Sequence, residues 1–414
     1  MLESNTYPAS SDYSELPEYL EYLLYPEYLI TMMNFEYRSL PAKVIFGSGK
    51  WRELPRHLSS YSKVMIIASD RLQPLTAHMV KELGAGRVSV FSRIAQHAPQ
   101  DIVNEAAELA GEFRPDILLA MGGGSAIGLA KAVSITRAKM QFDEQQLPQQ
   151  PSYRPHARMS IVAMPTTFSG SEQTDIWGIS TSGVKNTGRS DRVLPSLVVY
   201  DPELFEVMPA GLAVTSAMNA MAHLIEAVYA PDGNPLTSGQ ALQGIRWMKK
   251  GLMRLADRPS HSLAETPLSI PAEIAELLLF GAFLAGKSLR EVSMSLQHKT
   301  AHVLGGSFGL DHATVHTVLL PYVLRYQWPH LDADIRQDLE QVLGPDPAEE
   351  LRDLTKNAGG PVDLNSIGFN KADIPGAVDS ILSKPYGNPA PLEKDRMIRM
   401  LENAWNGSLQ SRGL

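Results

Sequence analysis

Between residues 43 and 200, short apolar, β-branched runs alternate with stretches of helix length. The runs are Lys43 to Phe46, Val64 to Ala68, Val88 to Phe91 and Ile117 to Met121, with helical patterns between them at Thr76 to Leu83 and Ile102 to Phe113. Two further runs, Ile161 to Met164 and Leu197 to Tyr200, extend the series. A helix-length crossover carries the chain back to the edge it left, so such strands pair in parallel. After Asp201-Pro202 the strand signals stop. Long helical patterns follow at Val214 to Val228, Gly239 to Leu255, Pro271 to Ser288, His312 to Tyr326, Ile335 to Val342 and Pro347 to Lys356. The expected architecture is an α/β domain over residues 34–204 and an all-α domain over 205–414. At 414 residues the chain is also long for one core.

Two stretches break the pattern. Residues 1–33 carry Glu3, Asp12, Glu15, Glu18, Glu21 and Glu27 without a Lys or Arg, interleaved with tyrosines and prolines. They read as a partly disordered extension, with Met32 or Met33 as an alternative start, or as an arm packed on a partner subunit. Residues 139–157, rich in Gln and Pro, read as a loop or insertion.

The formal charge of −8, with no long basic run, excludes a surface built for nucleic acid or anionic membrane. No apolar run approaches the roughly 20 residues that span a bilayer. With no cysteine there is no disulfide, thiolate metal site or cysteine nucleophile. No secretory signal is visible, and a soluble cytoplasmic protein is expected.

Gly122-Gly123-Gly124-Ser125 follows one strand and opens a helix that runs on through Lys131. Glycines let backbone N–H groups approach a phosphate, and the helix N-terminus favours its charge. A three-glycine turn also serves as plain strand-to-helix punctuation. Past the next strand, Pro165-Thr166-Thr167-Phe168-Ser169-Gly170 offers hydroxyls where α/β folds place ligands. Asp70, after the run at 64–68, is placed to hydrogen-bond a ribose and repel a 2′-phosphate, which favours NADH over NADPH; Arg71 beside it would act the other way.

Histidine is scarce, 11 in all, yet four fall at two i, i+4 spacings: His298 and His302, then His312 and His316. On a helix each pair shares a face. Asn219 and His223 form a similar pair upstream.

Together these stretches resemble the signature of the iron-containing alcohol dehydrogenase superfamily, in which one helix gives Asp and His ligands four apart and a later segment gives two more His. Gly122 to Ser125 with Lys131 are similar to its pyrophosphate loop, and Thr166, Thr167 and Ser169 to its second nucleotide loop. Gly128, Ile176-Trp177-Gly178, Asn186-Thr187-Gly188-Arg189, Val193-Leu194-Pro195 and Tyr200-Asp201-Pro202 resemble the maleylacetate reductase branch in particular. The resemblance spans residues 40 to 330. It implies a Rossmann-like sheet followed by an all-α domain, as in dehydroquinate synthase. It also implies a homodimer and an NAD(P)H-dependent reductase converting maleylacetate to 3-oxoadipate in aromatic-compound catabolism.

By that resemblance Asn219, His223, His298 and His312 hold the former ligand positions, and His302 matches the histidine that faces the nicotinamide. Asn219 in place of Asp removes a negative charge, so no metal is expected. A conjugated keto acid receiving hydride then needs another cation or proton donor near its oxygen. His302 or His298 is expected to donate the proton, with His223 and His312 beside them. Lys299 is expected to seat a substrate carboxylate, ahead of Arg189 or Lys131, and His97 to support the cleft. Three positions depart from the branch: Gln297 for a His, Thr300-Ala301 within the first motif, and Asp311 before His312. They point to an altered charge near the substrate. They leave open a paralogue acting on another unsaturated or carbonyl acid, or a non-redox lyase or cyclase on the same fold.

Overall fold

A computed structural model describes residues 42–145, 159–181, 184–206, 208–258, 270–384 and 386–409; the extension at 1–33 lies outside them. The strands are β1 (Lys43–Phe46), β2 (Val64–Ile67), β3 (Val88–Phe91), β4 (Ile117–Gly122), β5 (Ser160–Pro165), β6 (Ile176–Thr181), β7 (Val184–Arg189) and β8 (Leu197–Tyr200). Six form one sheet in the order β1-β8-β5-β4-β2-β3, every pairing parallel. β6 and β7 form a separate antiparallel hairpin.

The helices before residue 205 are α1 (Leu54–His57), α2 (Gln73–Leu83), α3 (Gln100–Phe113) and α4 (Gly124–Gln145). Alternate residues of the central strands serve opposite faces. Val64 and Ile66 of β2, with Ile117, Leu119 and Met121 of β4, pack with Leu54 of α1 and with Met79 and Leu83 of α2. Met65, Ile67, Leu118 and Ala120 face Val103 of α3 and Ile127 of α4. Both faces are thus covered, which explains why these strands read as continuous apolar runs. Part of the segment at 139–157 is not loop: α4 continues through Gln145, and residues 146–158 lie outside the described set.

Beyond Tyr200 the regular elements described are helical: α5 (Ala210–Val228), α6 (Pro235–Ala256), α7 (Ala272–Glu291), α8 (Leu296–Phe308), α9 (His312–Gln327), α10 (Ala333–Leu343), α11 (Pro347–Asn357), α12 (Ile374–Leu382) and α13 (Lys394–Asn406). α5 is buried on nearly every side and packs against α6, α7 and α9.

Two features of this topology place a site. The chain leaves β2 for β3 on one side and then returns to β4 on the other, so the strand order reverses between β2 and β4. Ligands of open α/β sheets bind beyond the carboxyl ends of strands at such a reversal. Asp70, Gly123 and Thr166 follow the ends of β2, β4 and β5 there. Second, α8 ends at Gly309, whose φ of 70° suits glycine, and Asp311 caps α9 by accepting from the Thr314 N–H at 2.9 Å. The short turn between them brings both histidine pairs together.

Candidate active site

The two loops expected to meet a nucleotide are in direct contact. A Cβ on Gly123 would lie 2.7 Å from Thr167 Cγ2, and one on Gly124 would lie 3.3 Å from Ser169 Oγ. Glycine is therefore required at 123 for the loops to touch. Gly122 has φ of 141°, and the Thr166 N–H donates to its carbonyl at 3.1 Å, carrying the β4–β5 pairing one residue past the sheet. α4 opens at Gly124 with first-turn N–H groups facing out of its end, the arrangement that receives phosphate. Gly128 meets no such restraint, since a Cβ there would have nothing within 4 Å. Asp70 is exposed and opens a 3-10 turn, Asp70–Leu72.

The second loop is tied to the helices. The Phe168 N–H donates to Ser216 Oγ on α5 at 2.9 Å. Gly170, at φ 71°, lies so near α7 that a Cβ would be 2.7 Å from the Gly286 Cα. Lys131 is fully buried, and its Nζ donates to Ser171 O at 2.6 Å, Thr174 O at 2.7 Å and Thr174 Oγ1 at 2.9 Å. Burial draws its pKa down to about 7, opposed by Glu172 and Asp175; three acceptors around one nitrogen match the three hydrogens of the ammonium form.

The expected catalytic histidines form a cluster of five imidazoles from α5, α8 and α9. Ring centroids lie 4.9 Å apart for His223 and His298, 4.6 Å for His298 and His316, 4.6 Å for His312 and His316, and 5.4 Å for His302 and His312. His302 is exposed and His312 half-buried, whereas His223, His298 and His316 are buried. Burial, and then the charge of neighbouring histidines, holds His223 and His316 well below the usual imidazole pKa, so both stay neutral.

His298 differs, because a carboxylate faces it. Its Nδ1 donates to Oε2 of Glu226, a residue with no exposed surface. Oε1 of Glu226 accepts from Ser295 N at 3.1 Å, Ser295 Oγ at 2.8 Å and Gln297 N at 2.9 Å. Asn219, His223 and Glu226 follow one another on one face of α5, at i, i+4 and i+7. The Asn219 Oδ1 and His298 Nε2 are buried without a hydrogen-bond partner among the described residues. Among those residues no group of three His, Asp or Glu side chains is arranged to hold a metal ion.

Two family models match the chain: iron-containing alcohol dehydrogenase over residues 41–202, and the C-terminal model of that family over 213–405. The chain belongs to the iron-containing alcohol dehydrogenase family. Within it, the chain is 38% identical over 378 residues to a maleylacetate reductase of Pseudomonas sp. (strain P51), covering 91% of this chain and 99% of that one. It is 34% identical to the maleylacetate reductase of Sphingobium indicum, covering 91% and 98%. Among solved structures, maleylacetate reductase from Agrobacterium tumefaciens matches with a TM-score of 0.80 at 30% identity, covering 91% and 99%. The enzyme from Rhizobium sp. strain MTP-10005 matches with 0.80 at 31%, covering 91% and 99%. The chain is an NAD(P)H-dependent oxidoreductase of this family.

Several residues sit differently from their sequence expectation. The Lys131 Nζ is held inside the 171–174 loop by three acceptors. Arg189 donates to the Arg290 carbonyl at 3.0 Å and lies 3.9 Å from the buried Asp175. Asp311 is an exposed helix cap, and Gln297 is fully buried with its Nε2 3.2 Å from His316 Nδ1. Lys299 is half-buried with its Nζ 5.9 Å from the Tyr386 ring centroid, and no carboxylate among the described residues pairs with it. His97 is exposed at φ 62° beside Ala98 at φ 45°; Ser180 of β6 holds this bend, donating from Oγ to His97 O at 3.0 Å and from N to Ala98 O at 3.1 Å. Glu226 was not singled out from sequence, although its i+7 position after Asn219 was the available signal.

Proposed function

We propose that this oxidoreductase reduces the carbon–carbon double bond of maleylacetate to give 3-oxoadipate, uses NADH in preference to NADPH, and needs no metal ion. The observation that carries this is the buried Glu226–His298 pair, set on the helix whose Ser216 also holds the second nucleotide loop. NADH, when bound, supplies the hydride. Gly122, Gly123, Gly124, Ser125, Thr166, Thr167 and Ser169 receive its phosphates, and Asp70 takes a ribose hydroxyl. In the proposed division, residues 34–204 carry the nucleotide and 205–414 the reacting end.

Hydride adds to one alkene carbon, and the displaced electron pair passes to the conjugated ketone oxygen. When its ring carries both protons, His298 can protonate that oxygen from Nε2, leaving the neutral ring with its lone pair there, while the carboxylate behind Nδ1 fixes the ring. The enol then returns to the ketone as its proton passes to carbon. His302 would face the nicotinamide of bound NADH, and Lys299 would pair with a substrate carboxylate. Metal independence rests on donor chemistry. Asn219 offers an amide, His223 and His312 offer uncharged nitrogens, and the Glu226 oxygens are already occupied. The homodimer and the cytoplasmic setting come from resemblance alone.

The test is NADH oxidation with maleylacetate before and after chelator treatment, with metal content measured on the same sample. Chelator-insensitive turnover is expected. Activity that disappears on chelation and returns with iron or zinc overturns metal independence, and equal kcat/KM with NADPH overturns the cofactor preference.

A further inference from the structure

We propose that Gln297 is a positioning residue that fixes which nitrogen of His316 carries the proton. Gln297 lies in the first turn of α8 with no exposed surface. Its Nε2 donates to the His316 carbonyl oxygen at 3.1 Å and lies 3.2 Å from His316 Nδ1. These two contacts together determine the chemistry. A carbonyl oxygen only accepts, so the amide must present its NH2 to His316; turned over, it would set two oxygens against each other. The second NH2 hydrogen then meets Nδ1, which must offer a lone pair. A neutral imidazole with its lone pair on Nδ1 carries its proton on Nε2.

That Nε2 is buried and has no hydrogen-bond partner among the described residues. His316 therefore carries an N–H, not a lone pair, at Nε2, within a cluster in which the His298 and His312 rings are both 4.6 Å away between centroids. His298 is fixed in the opposite sense. Glu226 accepts from its Nδ1, so in the neutral ring the lone pair is on Nε2. Neighbouring residues 297 and 298 thus impose complementary tautomers, a donor on His316 and an acceptor on His298. The substitution of His by Gln at 297 acts on this hydrogen-bond order and not on the charge met by a substrate. Its consequence for turnover rests on the proposed role of His298.

The test uses the full chain labelled with 15N in its histidine rings, with the His316 signals assigned by their loss in His316→Asn. In the unsubstituted protein, long-range 1H–15N spectra should show His316 with an unprotonated Nδ1 and a protonated Nε2. Gln297→Met, close in volume but unable to donate, should draw the two nitrogen shifts toward each other as the tautomers mix. It should also lower kcat by about tenfold while the KM for NADH stays within about twofold. A protonated Nδ1 in the unsubstituted protein overturns the proposal without any variant. So does a folded Gln297→Met that keeps a single Nε2–H tautomer. The spectra involve no substrate, so a failure to reduce maleylacetate would count against the proposed function and leave this test intact.

Discussion

Glu226 does at the residue scale what no single histidine of the cluster does, because its two oxygens are occupied by four donors, one of them the His298 ring. Glu226→Gln keeps the shape but offers Nε2–H where Oε2 stood. His298 Nδ1 must then accept, and Nε2 carries the only proton of a neutral ring with no anion behind it. We expect kcat to fall by about 10²-fold or more, with unfolding free energy lower by roughly 1–3 kcal/mol. Unchanged turnover in this variant would show that the carboxylate is not needed for proton transfer from His298. The neutral histidines make a different prediction. His223 and His316 lie well below their unfolded value of 6.5, so below pH 6.5 the unfolded chain binds more protons than the folded one. Their contribution is complete above pH 6.5 and is lost as pH falls, by up to about 1.4 kcal/mol per unit for each ring. Glu172 acts oppositely: burial raises it to about 6 from 4.5, so the folded state holds its extra proton in that interval. Urea midpoints should therefore begin to drop as pH falls below about 7 and keep falling below 6, because two rings outweigh one carboxyl. Midpoints that stay constant over that range would contradict the neutral assignment.

The elements were legible where a single face or a continuous apolar run decided them. All six strands of the parallel sheet announced themselves: β2, β4, β5 and β8 because burial on both sides demands apolar residues throughout, and the partly exposed edge strands β1 and β3 through their short β-branched runs. The β6–β7 hairpin did not, although Ser182-Gly183 between two β-branched runs was the available signal; its strands are only partly buried and carry Lys185, Asn186 and Arg189. The histidines were legible from spacing, but the Glu226–His298 contact joins positions 72 residues apart and no local pattern encodes it. The same holds for the junction of the second nucleotide loop with α7. In isolation, Gly286→Ala inside a helix should stabilise by about 0.5–1 kcal/mol. Here the new Cβ would lie 2.2 Å from the Gly170 carbonyl oxygen. Both partners are backbone, so relief requires the loop and helix to part. We expect a net loss of about 1–3 kcal/mol and weaker NADH binding, because Thr166 to Ser169 move with Gly170. A more stable Gly286→Ala protein, read by urea unfolding and NADH titration, would show that the contact is not maintained.

On the scale of the whole molecule the largest core does not stop where the strands end. Met65, Ile127 and Phe168 belong to the same apolar cluster as Ala213, Met221, Leu284 and Leu343. Two family models meet over this chain, and chains of this size commonly unfold in stages. A shared core argues otherwise, since exposing the inner face of the sheet strips α5 and α7 of their partners. Trp51 and Trp177 report from the strand-containing part, and Trp247, Trp328 and Trp405 from the helical part. With either set replaced by Phe, urea unfolding should give the same midpoint. NADH at about 100 times its Kd should raise both signals together, by about 2.7 kcal/mol. Separate midpoints, or an NADH shift confined to Trp51 and Trp177, would mean that the nucleotide end can fold without the histidine cluster. The Phe168–Ser216 hydrogen bond would then be a contact between independent units. A single shared shift would mean that holding the dinucleotide and ordering the imidazoles are one folding event.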